Sequence, residues 1–250
     1  MDASAILFDL HHTLTELKES ITSVFRRISA KHGIDLSPFS DDQMDQANQI
    51  SIEALNAFQL KNCVDMHWGT KPSDWIPFDR IHFEHLGIAN LSDDVIHSIE
   101  SQWHDALIGD FEYFTSDALF TIKELYNRGF LLGICTRRNH DPEPLLNRFG
   151  IRAMFRTLQW TGVIGFAKPN PYTLIKAAIE LGVNPRKCVF VGNYVGIDIE
   201  AARRCEMIPT LLTWANPGEE LKAPEGTLVF EKPSELLQVF ISPSEVVSLE

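Results

Sequence analysis

The sequence is short of cysteine, of positive charge and of long apolar runs. Four cysteines occur in 250 residues, at Cys63, Cys135, Cys188 and Cys205, and no two form a CxxC pair. This usage argues against a disulfide framework or a zinc site and for a reducing compartment. Basic residues number 22 against 34 acidic ones, a formal net charge of −12. An acid excess of that size argues against a nucleic-acid backbone or an anionic membrane as main partner. A small anionic substrate needs only a local positive pocket. No apolar run approaches the ~18 residues that a membrane span requires. The N-terminal segment MDASAILFDL has no basic stretch, and Asp9 interrupts its apolar run, so no signal peptide is expected. There are no repeats and no low-complexity segment. A cytoplasmic protein is the expectation.

What is present is globular. Hydrophobic residues make up 44% and charged residues 22%, close to the average for folded domains. Short runs rich in Ile, Val, Leu and Phe occur at 5–8, 130–135, 188–191, 209–212 and 227–230. They lack polar alternation, which predicts strands of a parallel sheet covered on both faces. Helical patterns lie between them at 118–127, 171–181, 197–205 and 234–240, the first two ended by Gly129 and Gly182. Strand and helix alternate from about Asp110 onward, which predicts a doubly wound, Rossmann-like α/β fold.

The stretch after the first strand differs. Leu17, Ile21, Val24, Phe25 and Ile28 share one helical face, and Met44, Ala47, Ile50, Ala54, Leu55 and Phe58 share another. Ser92-Asp93-Asp94 reads as an N-cap with acid in the first turn, leading into Val95, Ile96, Ile99 and Trp103. The segment 69–77 carries two prolines and reads as a loop. The expected organisation is an α/β core of 1–15 and 108–250, with a helical insertion at 16–107.

In a parallel sheet all strand C-termini lie on one edge, and ligands bind where the strand order reverses. Asp9 follows the first strand, Thr136 ends the second, and Asn193 and Asp198 follow a later one. Lys168, in a loop between strand signals, can join them. A carboxylate nucleophile, a hydroxyl donor, a cation and a further carboxylate suit the transfer of an anionic group.

The ordered segments FDLHHTLT, ICTRR, FAKPNPYT and VFVGNYVGIDIEAA resemble the four motifs of the haloacid dehalogenase superfamily of hydrolases. The resemblance covers essentially the whole chain, and the helical insertion is similar to an α-helical type 1 cap. It implies a phosphatase-like hydrolase acting on a small phosphorylated metabolite or other anionic substrate. Asp9 would be the nucleophile and form an aspartyl intermediate. Thr136 would bind a substrate oxygen. Lys168 would orient the nucleophile and neutralise charge. Magnesium would be held by Asp9, the backbone carbonyl of His11, Asn193 and Asp198.

Two positions depart from the family pattern. His11 stands where family phosphatases carry an acid–base Asp, and Asn193 stands where they carry a motif-four Asp. Histidine can itself act as acid and base near neutral pH, so His11 is expected to take over that role. Loss of two carboxylates also keeps two alternatives open. One is a metal-independent 2-haloacid dehalogenase-like hydrolase acting at carbon. The other is a catalytically weak phospho-ligand-binding protein.

Arg137 and Arg138 follow Thr136. Both are candidates for binding a substrate carboxylate or phosphate as bidentate donors, Arg137 foremost, with surface charge or an ion pair as the plainer reading. His82 and His85 share a helical face but lack a third ligand nearby in sequence, so a packed or solvated pair is expected. Trp68, Trp75 and Trp103 are expected to pack rather than to bind substrate.

Overall fold

In a computed structural model of the chain, residues 2–109 and 111–243 are described. Asp110 and 244–250, which the expected α/β boundaries include, lie outside the described residues. The chain divides into two compact units, Met1–Glu16 with Tyr113–Glu250, and Leu17–Glu112.

The chain begins in β1 (Ala5–Phe8), whose four residues are all buried. It leaves the first unit along β2 (Thr15–Leu17). Four helices follow, α1 (Ile21–Lys31), α2 (Asp41–Asn62), α3 (Ile76–His85) and α4 (Asp93–Ile108). Their starts are written in the sequence. The side chains of Ser20, Ser40 and Ser92 accept the amide N–H of Ser23, Gln43 and Val95. Each such cap stabilises its helix by about 1 kcal/mol. Their packing buries Val24, Ile28, Met44, Ala47, Phe83 and Ile99 in a separate core. Two residues expected on one helical face depart from it. Leu17 lies in β2, ahead of the Ser20 cap, and packs against this core from there, while Ile21 is 50% exposed at the first turn of α1. Both lie N-terminal to the point where α1 turns its apolar face inward.

The chain returns through β3 (Glu112–Phe114), which pairs with β2, and then alternates. The order is α5 (Ser116–Asn127), β4 (Leu131–Thr136), α6 (Glu143–Arg148), β5 (Phe155–Trp160), α7 (Tyr172–Leu181) and β6 (Cys188–Gly192). It continues through α8 (Glu200–Arg204), β7 (Ile208–Leu212), β8 (Leu228–Phe230) and α9 (Leu236–Val239). Among the described residues the sheet has six parallel strands in the order β5-β4-β1-β6-β7-β8. The fold class is therefore as the sequence predicts. Period-two alternation splits β1 between the faces: Ile6 and Phe8 pack with α5 and α6, Ala5 and Leu7 with α7 and α8.

The strand β5 has no apolar run to announce it. Its inward residues include Thr157 and Gln159, which both donate to the Glu180 carboxylate on α7, while Arg156 is exposed. A polar network satisfies an edge strand that an apolar-run search passes over. The strand order reverses between β1 and β6, with β4 and β5 added on one side and β7 and β8 on the other, so the C-terminal ends of these parallel neighbours form the switch-point crevice.

Candidate active site

The crevice is built from loops that leave adjacent strands. Asp9 follows β1 directly, and its amide donates to the Val191 carbonyl of β6 at 2.9 Å. Beyond it the chain coils tightly. The amides of Thr13, Leu14 and Thr15 all donate to the Leu10 carbonyl, and the Thr15 hydroxyl joins them at 2.9 Å. His12 occupies the left-handed region at φ 59°, and its ring stacks on His11 with centroids 3.9 Å apart. This coil brings Thr13 back over Asp9. The Thr13 hydroxyl lies 3.0 Å from Asn193 Oδ1 and 3.5 Å from Asp9 Oδ2. Its single proton favours the shorter contact.

Lys168 joins the cluster from the loop before α7. Its Nζ donates to Asp9 Oδ1 at 2.8 Å and to Asp198 Oδ1 at 2.6 Å. The same ammonium sits 4.9 Å from the centroid of the Phe190 ring. Asp198 lies in a π-helical turn, Val195–Ile199, that precedes α8. Its Oδ2 accepts the amide N–H groups of Asn193 and Tyr194, each at 3.0 Å. Gly192 is required there, because a Cβ on it would lie 2.3 Å from the Asp198 Cβ.

Two carboxylates thus share one ammonium in a buried site. Lys168 is 3% exposed and Asp198 2%. Burial pulls the Lys168 pKa down, but the fields of Asp198 and then Asp9 outweigh it and leave it above the usual lysine value. Burial pushes the Asp198 carboxyl up; Lys168 opposes this, Asp9 adds to it, and the net shift is upward. Burial thus dominates at Asp198, whereas at Lys168 the two facing carboxylates prevail; the cluster holds two carboxylates against one cation, an excess of negative charge.

That excess bears on magnesium. Among the described residues no three His, Cys, Asp or Glu side chains form a metal-holding cluster. Magnesium does not need one, since it is commonly held by one or two carboxylates with water and substrate phosphate. The donors present are hard oxygens. Asn193 adds a specific observation: its Nδ2 is buried without a partner. A half-turn of the amide exchanges nitrogen and oxygen. The nitrogen would then face the Thr13 hydroxyl, and the amide oxygen would be left open to a cation. The set fits magnesium.

Of the residues singled out from sequence, Asp9, Lys168, Asn193 and Asp198 come together. Thr136 is buried as the last residue of β4, beside β1. Arg137 is exposed in the loop after it, and the Arg138 guanidinium contacts the His140 ring at 3.4 Å. His11 is half-buried on the β1 loop. Sequence reasoning missed Thr13; its spacing of four from Asp9 across a tight loop was the available signal. In the helical unit, His82 packs against Phe25 and Phe83, and burial, aided by His85, lowers its pKa to about 4. Trp68 and Trp75 pack together with ring centroids 6.0 Å apart, and Trp103 packs on Phe25 and Phe111. Cys135, Cys188 and Cys205 are buried and Cys63 is exposed; burial raises Cys188 to about 12 and Cys205 to about 11.

A sheet of this order with a carboxylate–lysine–carboxylate cluster at its switch point defines a class of enzymes. Residues 3–206 match the haloacid dehalogenase-like hydrolase family, and the chain belongs to it. It is 37% identical to a glyceraldehyde 3-phosphate phosphatase of Methanopyrus kandleri over 93 residues, 37% of this chain and 40% of that protein. It is 30% identical to the pyrophosphatase PpaX of Bacillus pumilus over 156 residues, 60% of this chain and 69% of that one. The matches thus span about half the length of the curated relatives. A predicted phosphoglycolate phosphatase from Haemophilus somnus shares the fold, with a TM-score of 0.67 at 16% identity, covering 96% of this chain and 98% of that one. No helix among the described residues is long and apolar enough to cross a membrane.

Proposed function

We propose that this chain is a magnesium-dependent phosphatase of small phosphorylated metabolites, working through an aspartyl-phosphate on Asp9 and carrying its helical unit as a type 1 cap. The observation that carries the reading is the Lys168 bridge. It occupies Asp9 Oδ1 at 2.8 Å and, among the described residues, leaves Oδ2 facing the long Thr13 contact at 3.5 Å. Oδ2 is therefore the attacking oxygen. It forms the bond to phosphorus as the ester oxygen leaves with the electron pair.

Lys168 holds the nucleophile against rotation and offsets part of the charge that gathers as the phosphoryl group approaches. Thr136 and Arg137 contact the phosphoryl or neighbouring anionic oxygens. His11 gives a proton to the leaving alkoxide and then takes one from the water that cleaves the aspartyl-phosphate. Asp9, the His11 carbonyl, Asn193 and Asp198 would hold magnesium, which supplies electrostatic screening between nucleophile and phosphate. The relatives named as phosphatases support the chemistry.

The test is a panel of phosphomonoesters and 2-haloacids, assayed with magnesium and with chelator beside an Asp9→Asn control. Phosphate release that needs both Asp9 and magnesium is expected. Chelator-insensitive halide release would overturn the reading in favour of chemistry at carbon. Saturable phosphate binding without turnover would overturn it in favour of a binding protein. On the best substrate, His11→Ala should lower kcat by about 100-fold, the scale of a lost acid–base group. Unchanged turnover would remove His11 from that role.

A further inference from the structure

The family match ends at residue 206, yet three contacts to the site come from beyond it. All three arise just after β7. The Trp214 indole N–H donates to the Thr13 carbonyl at 3.1 Å, on the loop that follows the nucleophile. The Asn216 amide lies 3.5 Å from the Asn193 carbonyl. The Glu219 carboxylate accepts the Val195 amide N–H at 2.9 Å, at the start of the turn that bears Asp198.

These contacts complete a pattern. The amides of Asn193, Tyr194 and Val195 are consecutive, and each donates to a carboxylate: the first two to Asp198 and the third to Glu219. Such amides at the start of a turn have no partner within it and are costly to bury unpaired. Asp198 alone cannot hold the third. Glu219 is itself fixed: it is 8% exposed and its other oxygen pairs with Lys222. That pairing, with the Val195 N–H, keeps its pKa below the usual glutamate value. The turn and the Thr13 loop are thus tied to one short segment, and they carry the two groups that Lys168 bridges and brackets.

We propose that residues 214–219 are a positioning strap for the active site, with Glu219 as its principal positioning residue and Trp214 as its second. Glu219 holds the 193–195 turn so that Asp198 faces Lys168. Trp214 holds the coil that sets Thr13 over Asp9. Neither side chain touches substrate. A misplacement of about 1 Å in such a site can cost about 100-fold in rate, so the strap acts on kcat rather than on substrate affinity.

The kinetic part of the proposal rests on the phosphatase reading; the structural part does not. Glu219→Ala, Glu219→Gln, Trp214→Phe and Lys222→Ala are compared with the parent on p-nitrophenyl phosphate with magnesium, and by amide hydrogen exchange. Glu219→Ala should lower kcat by about 10- to 100-fold with KM within about threefold. Glu219→Gln should recover to within about threefold, because its carbonyl still accepts the Val195 N–H. Trp214→Phe keeps the ring and loses the donor, and should lower kcat by about three- to tenfold. Lys222→Ala should lower kcat by less than about threefold, because its side chain is 67% exposed, such a pair is weak, and the Val195 contact remains. Exchange should quicken at 193–195 in Glu219→Ala while β1 and β6 remain protected. The proposal is overturned by a kcat for Glu219→Ala within twofold of the parent, by a loss confined to KM, by a Gln variant no better than Ala, or by quickened exchange throughout the sheet. If the parent itself releases no phosphate, the phosphatase reading fails, and exchange at 193–195 alone decides the strap.

Discussion

The two units of this protein each bury a pair of carboxyl groups, and they treat them differently. In the α/β unit, Asp9 and Asp198 share the Lys168 ammonium. In the helical unit, Asp79 on α3 and Glu100 on α4 act on each other's ionisation, Asp79 Oδ2 is buried without a partner, and no cation is a cause in either group's shift. Burial raises the Asp79 pKa to about 7. Burial, then the charge and hydrogen bond of Asp79, raises Glu100 to about 10. A shared cation keeps buried carboxylates available as charged groups. Without one, the cheaper solution is to keep a proton. The first arrangement suits the nucleophile proposed for Asp9; the second favours neutral carboxyl groups between two helices.

Removing the cation should turn the first arrangement into the second. Lys168→Met leaves two buried carboxylates unpaired, which should cost about 3–5 kcal/mol of stability near neutral pH. The loss should shrink on acidification, as a proton takes the place of the ammonium. Denaturant unfolding at pH 5 and pH 8 checks this, and an equal loss at both would break the comparison.

The second arrangement predicts a pH dependence in the parent protein itself. Asp79 and Glu100 hold protons in the folded state that they release when unfolded. Their contribution is fully present below the unfolded values of 3.8 for Asp79 and 4.5 for Glu100, and is lost as pH rises toward about 7 and about 10. The slope is at most about 1.4 kcal/mol per pH unit for each group. His82 opposes this only on the acid side, where its stabilising neutral form is lost as pH falls from 6.5 toward about 4. Glu100→Gln keeps a hydrogen-bonding group without the ionisation. It should flatten the alkaline fall in melting temperature, and a fall as steep as the parent's would exclude Glu100 as its source.

The smallest expected effect is on stability at Asp9. Asp9→Asn leaves one carboxylate facing one ammonium, so the excess charge disappears. Its melting temperature should equal or exceed the parent's, although turnover is lost. A clear destabilisation would show that the Asp9–Lys168 bond outweighs the repulsion between Asp9 and Asp198.

Much of this was legible in the residue order, for local reasons. The run Ala5–Phe8 reads as a central strand because both its faces are covered. Ser92 reads as a cap because its hydroxyl meets an amide three residues on. Asp9, Lys168, Asn193 and Asp198 could be nominated from four ordered motifs. What escaped was set by distant partners. The polar face of β5 makes sense only beside Glu180. The π-helical turn before α8 reads in sequence as more of the helix, since 197–205 carries helical periodicity throughout. Glu219 looks like any surface acid until Val195 is found against it.

The sequence by itself determined the class of fold, the insertion of a helical block and the chemical types assembled at one sheet edge. Those follow from patterns that repeat within a few residues, and from strand ends that a parallel sheet must bring to one side. Only the tertiary structure decided which oxygen of Asp9 is spoken for, which nitrogen of Asn193 is left bare and which carboxyl pair must share a proton. Each of those depends on groups far apart in the chain, 159 residues for Asp9 and Lys168, and on how many charges burial left without a partner.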